Sequence, residues 1–528
     1  MFQKITLSIL AGFLLFISWP PISHFTFCIF IAFVPLLILE TSVAKKELSI
    51  YKFFGYIYLA FFIFNVSLTF WIRHAHFSGA LFAILCNSLF MTLVFCIYSM
   101  LKNSSYWQNT SFMLPILWIS FEYLHLNWDL SWPWLTVGNV FGSHPACVQW
   151  YSYTGVLGGT LWVFIVNLLF FKLSQCRFNS YLRNRNFFLV LFSLLLPIGL
   201  SYLVYNKDLN ILSNTHIDVM VVQPNIDPYT EKFSLSQTDQ TNALLNFISP
   251  KLNDSLDFII LPETFLTSPI WAQRIHNNIH IKSFNKLIHE YSDLNIIVGA
   301  TILDFSKKSP TAKPLSNHQN QFYKVYNSSL QLNDIGVDMY YKSKLVPGAE
   351  KMPFQNFLYP ILGDKILKIG DSNVVGNFSK QDSVSIFSSS KNHKTAAIVC
   401  YESIYGDYVR KFINKGAEGI FIITNDGWWK NTIGYQQHHI YAKLRAIETR
   451  RYIARSANTG ISSIINIFGE VKSMIDWDQK DIIQYAMPLY NQKTFYVKHG
   501  DVIGRICSVL AVFILLYFLV SNKLGFSR

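Results

Sequence analysis

The sequence is poor in charged residues for its length. Only 14% of its 528 residues are Asp, Glu, Lys or Arg, whereas a soluble protein carries about 25%. Hydrophobic residues make up 51% of the chain, with 45 Phe and 28 Tyr among them. The shortage of charge is concentrated in residues 1–205 and 506–522. This composition excludes a single soluble domain and indicates membrane spans joined to a soluble part.

Cysteine is also scarce, and its spacing excludes two common uses. The seven cysteines form no pair with the spacing of a disulfide framework or a metal-ligand set. His438 and His439 are adjacent, which is the wrong spacing for a shared metal on a helix, so we interpret them as structural. Only Cys400 lies well inside the soluble part. A lone thiol there is either a buried apolar residue or a nucleophile.

The positive charge of the chain favours a membrane partner over a nucleic acid. The net charge is +13, but the basic residues are scattered and no nucleic-acid motif accompanies them. Apolar runs predict eight spans, near residues 5–20, 25–43, 53–72, 79–101, 112–127, 159–174, 187–205 and 506–522. Lys and Arg collect in the short loops on one side of these spans. Both termini are therefore expected in the cytoplasm and residues 206–505 on the outer side of the membrane, which in a Gram-negative cell is the periplasm.

The first twenty residues are apolar and could be taken for a signal peptide. They lack a small-residue cleavage site, and Trp19-Pro20-Pro21 leads straight into another apolar run. We therefore interpret them as a span.

Residues 206–505 alternate short β-type runs with helix-like stretches, which indicates an α/β domain. A polar stretch at 303–322 is expected to form a loop, Asn333 to Gly336 a hairpin turn, and 436–452 a helix. The predicted strands are Asp218–Val222, Phe258–Leu261, Ile296–Val298, Ala396–Val399, Ile420–Ile423 and Ser463–Ile467.

Three residues of this domain are candidates for chemistry. Glu263 and Cys400 each follow an apolar strand, and the ends of such strands are where α/β sheets place active sites. A carboxylate beside apolar walls is expected to have a raised pKa, which suits a general base. Lys342 follows the predicted hairpin and is able to stabilise an oxyanion, although a surface lysine is the ordinary interpretation. Glu402 is expected to project to the same side as Cys400.

Together, the order Glu–Lys–Cys and the sequence motifs around these residues resemble the membrane-bound apolipoprotein N-acyltransferase branch of the nitrilase superfamily. Two departures stand out: Pro347-Gly348-Ala349-Glu350 where the family often has Pro-Phe-Gly-Glu, and Phe233 where it often has tryptophan. The matching motifs are Leu261-Pro262-Glu263-Thr264, Lys342 to Glu350, Cys400-Tyr401-Glu402, Thr424 to Trp429, Arg455 to Gly460 and, upstream, Ser131 to Leu135.

The resemblance implies a domain organisation. It comprises a transmembrane domain of seven spans (1–205), a nitrilase-like αββα catalytic domain (206–505), and a last span with a short cytoplasmic tail (506–528). The protein would lie in the bacterial inner membrane as a monomer.

The resemblance also implies a reaction. Cys400 would take an acyl chain from a phospholipid as a thioester and pass it to the α-amine of a diacylglyceryl apolipoprotein, without cofactor or metal. Glu263 would be the base, and Lys342 with backbone N–H groups would hold the oxyanion. Glu350, Tyr401 and Glu402 are expected to support the site, and Phe233, Trp271 and Trp428 to contact substrate.

Two alternatives remain open from the sequence. One is a membrane-tethered amidohydrolase that uses the same three residues and releases free acid. The other is a non-catalytic membrane scaffold. The aromatic residues Trp271, Phe354, Phe357 and Tyr359 lie after the Glu and Lys motifs. They are either ordinary core and surface residues or parts of loops that enter the bilayer interface.

Overall fold

A computed structural model provides the structure of the protein. It describes residues 2–104, 110–176, 180–209, 213, 215–291, 293–315, 321–354, 357, 361 and 378–523. The chain forms two compact units, one of Met1–Asn210 with His499–Arg528 and the other of Ile211–Lys498.

The first unit is helical, and six of its segments are long and apolar enough to cross a membrane. They are Ser23–Ala44, Ile50–His74, Phe77–Lys102, Val156–Gln175, Ser180–Asp208 and Val502–Ser521. The predicted spans at 5–20 and 112–127 correspond to helices of 17 and 13 residues, shorter than the roughly 20 residues of a full span. The described residues therefore contain six full-length spans where the sequence predicted eight. The helices are α1 (Phe2–Ser18), α2 (Ile29–Ala32), α3 (Val34–Ala44), α4 (Ile50–Thr69), α5 (Phe77–Lys102), α6 (Met113–His125), α7 (Tyr151–Thr154), α8 (Val156–Gln175) and α9 (Ser180–Asp208).

Glu122 is a carboxyl group on α6 inside this apolar unit. Its oxygens accept hydrogen bonds from the Trp118 indole at 3.0 Å, the Val137 backbone N–H at 2.7 Å and the Thr160 hydroxyl at 2.7 Å. Because a buried polar group without partners is costly, these three bonds explain how the carboxyl is tolerated. They also tie α6 to α8.

The second unit contains two mixed β-sheets. One has the strand order β14-β1-β2-β4-β6-β5, with β3 beside β4 and β7 beside β6, and the other has the order β13-β12-β11-β10-β9-β8. The strands are β1 (His216–Gln223), β2 (Phe258–Ile260), β3 (Leu266–Trp271), β4 (Asn295–Ser306), β5 (Lys313–Pro314), β6 (Phe322–Leu332), β7 (Val337–Tyr341), β8 (Phe387–Ser388), β9 (Lys394–Val399), β10 (Gly419–Thr424), β11 (Ile453–Ala457), β12 (Ser462–Ile465), β13 (Val471–Ile475) and β14 (Asp481–Pro488).

The two sheets stack face to face and helices cover their outer faces. Phe258 of the first sheet packs against Phe421 of the second with ring centroids 5.0 Å apart, and the Ser329 hydroxyl on β6 donates to the Ala397 carbonyl on β9. The helices of this unit are α10 (Gln237–Ile248), α11 (Ile279–Glu290), α12 (Gly406–Asn414) and α13 (Ile433–Thr449). Further along the chain lie α14 (Phe495–His499) and α15 (Val502–Lys523), and α15 belongs to the first unit. The predicted αββα sandwich is confirmed.

The parallel strands of both sheets are continuously apolar because both faces are covered. All six residues of β10 are buried. In the first sheet β1, β2 and β4 run parallel, and in the second β9, β10 and β11 do. Their carboxyl ends are the edges from which side chains enter a shared site.

Two local predictions are corrected by the structure. The stretch 303–322 is not one loop, because β4 continues to Ser306 and pairs with β6 from Phe322 onward; residues 316–320 lie outside the described part. The predicted helix 436–452 is α13, which ends at Thr449 because Arg450 adopts a left-handed conformation with φ of 50°. The predicted hairpin turn at 333–336 is confirmed between β6 and β7.

Candidate active site

Glu263 enters the site from the carboxyl end of β2. The residue is 6% exposed. One oxygen, Oε1, accepts from the Asn327 amide at 2.8 Å and from Lys342 Nζ at 3.2 Å. The other, Oε2, accepts from the Asn425 backbone N–H at 3.1 Å. The carboxylate is thus held by donors from both sheets.

Lys342 follows β7 and is 1% exposed. Its Nζ lies between two carboxylates, 3.2 Å from Glu263 and 2.9 Å from Glu350. Glu350 is fixed by the Val346 backbone N–H at 2.8 Å and by the Asn327 amide at 3.0 Å. The loop that departs from the family pattern therefore still delivers Glu350 to the lysine.

Cys400 follows β9, beside Glu263 and Lys342. Its φ of 51° lies in the left-handed region, which a non-glycine residue rarely adopts. Such strain concentrates where function requires a particular side-chain direction. The Ser403 hydroxyl donates to the Cys400 carbonyl at 2.7 Å, which helps to hold the turn.

Glu402 supports the site from a different direction than the sequence predicted. Residues Cys400–Ile404 form a 3₁₀ helix, so the two-residue period of a strand does not apply and Glu402 turns back into the protein. Its Oε1 accepts from the Tyr340 hydroxyl and from the backbone N–H of Ser343 and Lys344. Glu402 thus fixes the backbone next to Lys342, and the neighbouring Tyr401 is 3% exposed.

The electrostatics of the three candidates oppose the sequence expectation for Glu263. Burial favours its neutral form, but Lys342, the Asn327 amide and a second lysine, Lys232, outweigh this and lower its pKa. The expected raised pKa is therefore wrong, because the carboxylate lies among cations and donors rather than apolar walls alone. Burial disfavours the Lys342 charge, but Glu263 and Glu350 hold its pKa well above its ordinary value. Burial and Glu263 raise the pKa of Cys400 well above its ordinary value.

Two polar residues of the site, Lys232 and Asn327, carry no pattern that sequence reasoning could have used, and a third, Asn425, lies in the matching segment Thr424 to Trp429 but was not singled out. Lys232 is 3% exposed and donates to the Glu263 main-chain carbonyl at 3.0 Å. Asn327 lies in the interior of β6 and contacts both carboxylates. Asn425 follows β10, and its Nδ2 is a buried donor without a partner among the residues that the structure describes. Lys232 and Asn327 are each a single polar residue in a run without a recognisable motif.

The orientation of the Asn425 amide is fixed by its neighbour. Asn458 accepts from the Ile226 N–H at 3.3 Å and donates to the Ile226 carbonyl at 2.7 Å, which sets its own amide. Its Nδ2 then donates to Asn425 Oδ1 at 3.1 Å. Because Asn425 Oδ1 accepts this hydrogen bond, the NH2 group is the end of the Asn425 side chain that still has a donor to offer.

Behind Cys400 lies a fully buried charged network. Asp426 is 2.7 Å from Arg455 and 2.9 Å from His438 Nδ1, and His438 Nε2 is 3.2 Å from the Cys400 carbonyl oxygen. Burial favours the neutral carboxyl, but Arg455 and His438 lower the pKa of Asp426 to about 2. His438 thus connects this network to the candidate nucleophile, while His439 contacts the Ser463 hydroxyl at 3.0 Å.

The three residues predicted to contact substrate fall in two places. Phe233 is 59% exposed and stacks on Trp428 with centroids 6.1 Å apart, and it adjoins Lys232 in sequence. Trp271 ends β3 and packs against Phe305 and Tyr323. Phe354 and Phe357 are 42% and 70% exposed, and Tyr359 lies outside the described residues.

No group of three or more His, Cys, Asp or Glu side chains among the described residues could hold a metal ion.

Comparisons with known proteins extend over most of the chain. Residues 219–492 match the carbon-nitrogen hydrolase family model, and residues 11–169 match the model of the apolipoprotein N-acyltransferase N-terminal domain. Apolipoprotein N-acyltransferase of Chlorobaculum tepidum is 26% identical over 96% of this chain and 94% of the relative. Apolipoprotein N-acyltransferase of Thermotoga maritima is 24% identical over 96% of this chain and 92% of the relative. The crystal structure of Saccharomyces cerevisiae Nit3, a member of branch 10 of the nitrilase superfamily, is 17% identical over 52% of this chain and 91% of that chain, with a TM-score of 0.37.

The chain belongs to the carbon-nitrogen hydrolase family, whose model spans its second unit. The apolipoprotein N-acyltransferase N-terminal domain precedes it in the chain, as the two family matches show. Together with the relatives, this domain order indicates the apolipoprotein N-acyltransferase branch and an acyltransferase activity.

Proposed function

We propose that this protein transfers an acyl chain from a membrane phospholipid, through a thioester on Cys400, to the α-amine of a diacylglyceryl apolipoprotein. This would be the last step of lipoprotein maturation. The observation that supports the chemistry most is the buried Lys342, held between Glu263 and Glu350 beside Cys400. The names of the relatives support the choice of substrates.

In the first half-reaction the Cys400 sulfur attacks an ester carbonyl carbon of the phospholipid. Glu263 accepts the thiol proton as the carbon–sulfur bond forms, and the Lys342 ammonium stabilises the oxyanion. The ester carbon–oxygen bond then breaks, and Glu263 returns the proton to the leaving alcohol of the lysophospholipid. An S-acyl enzyme remains.

In the second half-reaction the α-amine of the lipoprotein cysteine attacks the thioester carbon. Glu263 accepts a proton from the amine, and an amide bond forms as the carbon–sulfur bond breaks. The proton then returns to the Cys400 sulfur, which restores the resting site. Two substrates that react in turn with one nucleophile predict ping-pong kinetics.

Location at the membrane fits both substrates. A site anchored by apolar helices on both sides in sequence meets bilayer substrates at a high effective concentration. The side preference of Lys and Arg in the short loops favours cytoplasmic termini and a periplasmic second unit in the inner membrane. We also propose that the protein acts as a monomer.

Intact-mass analysis of the purified protein with phospholipid vesicles tests the proposal. The wild type should gain the mass of an acyl chain and lose it with hydroxylamine, Cys147→Ala should behave likewise, and Cys400→Ala should gain nothing. A diacylated lipopeptide should then discharge the thioester into an amide product. Discharge by water alone would favour the amidohydrolase alternative. A folded wild type without any mass gain would refute the acyl-enzyme mechanism.

A further inference from the structure

Lys232 is a buried lysine for which the mechanism above has no role. Its segment is tied down at several points: its N–H donates to the Asp227 carbonyl at 2.8 Å, and the Gln240 amide on α10 donates to its carbonyl at 3.0 Å. Its Nζ reaches inward to the Glu263 main-chain carbonyl at 3.0 Å. The residue after that carbonyl, Thr264, has a left-handed φ of 51°. Lys232 therefore holds the turn that presents the Glu263 carboxylate.

The charges of the site explain why an ammonium group is placed there. Lys342 is a single cation that pairs with two carboxylates, those of Glu263 and Glu350. One of the two negative charges is therefore left without a positive charge of its own. Asp426 has its own partner in Arg455. Lys232 offsets this remaining charge, although burial lowers its own pKa to about 8. Burying a lysine is costly, so its presence beside the base calls for a reason.

We propose that Lys232 is a positioning residue for the base: it fixes the Glu263 main chain and offsets the second carboxylate, which keeps Glu263 ionised and able to accept the Cys400 proton. The inference rests on the proposed role of Glu263. The titratable groups that face this cluster are Glu263, Glu350, Glu402, Lys342, Cys400, Tyr401, Asp426 and His438.

The test is the pH profile of Cys400 alkylation by iodoacetamide in the full-length protein, read from the mass of the Cys400 peptide. Since Glu263 assists the thiol only when ionised, the rate should fall on the acid side as Glu263 takes up a proton. Lys232→Met and Lys232→Gln should both move this acid limb upward by about one pH unit, a roughly tenfold slower reaction at a given acidic pH. Glu263→Gln should remove the limb, which assigns it.

A matched control separates the site from a general effect of losing a lysine. Lys415 also donates to a main-chain carbonyl, that of Val384, in the same unit, and Lys415→Met should leave the profile unchanged. Lys232→Gln keeps a donor without the charge, so a wild-type profile for this variant would overturn the proposal. A wild-type profile for Lys232→Met would do the same. Alkylation needs no lipid, so failure of the thioester assay would not alter this result.

Discussion

The buried pair of Asp426 and Arg455 behind Cys400 allows a quantitative prediction for Asp426→Asn. Both side chains are fully buried, with Oδ2 and the guanidinium 2.7 Å apart. Removing one member of such a pair leaves the other charge buried and unpaired, which costs about 3–5 kcal/mol. The pKa of Asp426 gives a second measure. A fall from 3.8 to about 2 corresponds to about 2 kcal/mol of stability in the ionised form.

Because the pKa of Asp426 is depressed in the folded protein, this stabilisation is fully present above its ordinary pKa. It is lost as the pH falls toward about 2. At neutral pH a loss of about 3 kcal/mol should lower the melting temperature of the second unit by roughly 5–10 °C. An amide would also replace the charged partner of His438 Nδ1, so thioester formation should slow as well.

Pulse proteolysis of the full-length protein across a temperature series measures the stability of the unit Ile211–Lys498 directly. The variants are Asp426→Asn, Arg455→Met and the double replacement. Since the double variant leaves no unpaired charge, it should lose less stability than the two single losses added together. Additive losses, or an Asp426→Asn variant that melts with the wild type, would refute the assignment of a coupled buried pair.

Two further predictions concern the geometry of the site. A Cβ at Gly299 would lie 2.3 Å from the Thr264 N atom and 2.6 Å from the Glu263 Cα atom. Gly299→Ala should therefore displace Glu263 and slow thioester formation roughly a hundredfold. The control is Gly199→Ala, where a Cβ meets open space, and equal rates for the two variants would contradict the importance of Glu263 placement. Asn425→Ala removes the NH2 donor and should slow thioester formation about tenfold. Asn458→Ala removes the hydrogen bond between Asn458 and Asn425 but keeps the Asn425 donor, so it should slow the reaction less. Equal effects of the two variants would mean that the Asn425 amide acts only through packing.

The sequence located two members of the site through strand patterning. Glu263 and Cys400 each end a short apolar run, and the structure places both at carboxyl ends of parallel strands. Lys342 follows an antiparallel strand and has no such signal, so only the words around it identified it. Lys232 and Asn327 could not be found this way, because their importance comes from contacts across the fold rather than from spacing along the chain.

The errors in the sequence predictions have physical causes of the same kind. A raised pKa for Glu263 followed from its apolar neighbours in sequence, but its neighbours in space are cations and amide donors. The polar stretch 303–322 suggested a loop, yet its first residues complete the long pairing of β4 with β6. Glu402 was expected beside Cys400 on a strand period, and the strand ends one residue before the nucleophile.

The directions of the pKa shifts constrain when the nucleophile can form. The Cys400 pKa is raised while that of Glu263 is lowered, so at rest the proton stays on sulfur and the carboxylate stays charged. Complete proton transfer before attack would place a thiolate in a buried site against this preference. In the proposed mechanism the proton would therefore move as the sulfur attacks, when charge passes to an oxyanion beside Lys342. A resting thiol of this kind is a poor target for oxidants, which react with thiolates. If Cys400 is the nucleophile, the arrangement that delays formation of its thiolate would also protect the sulfur until substrate arrives.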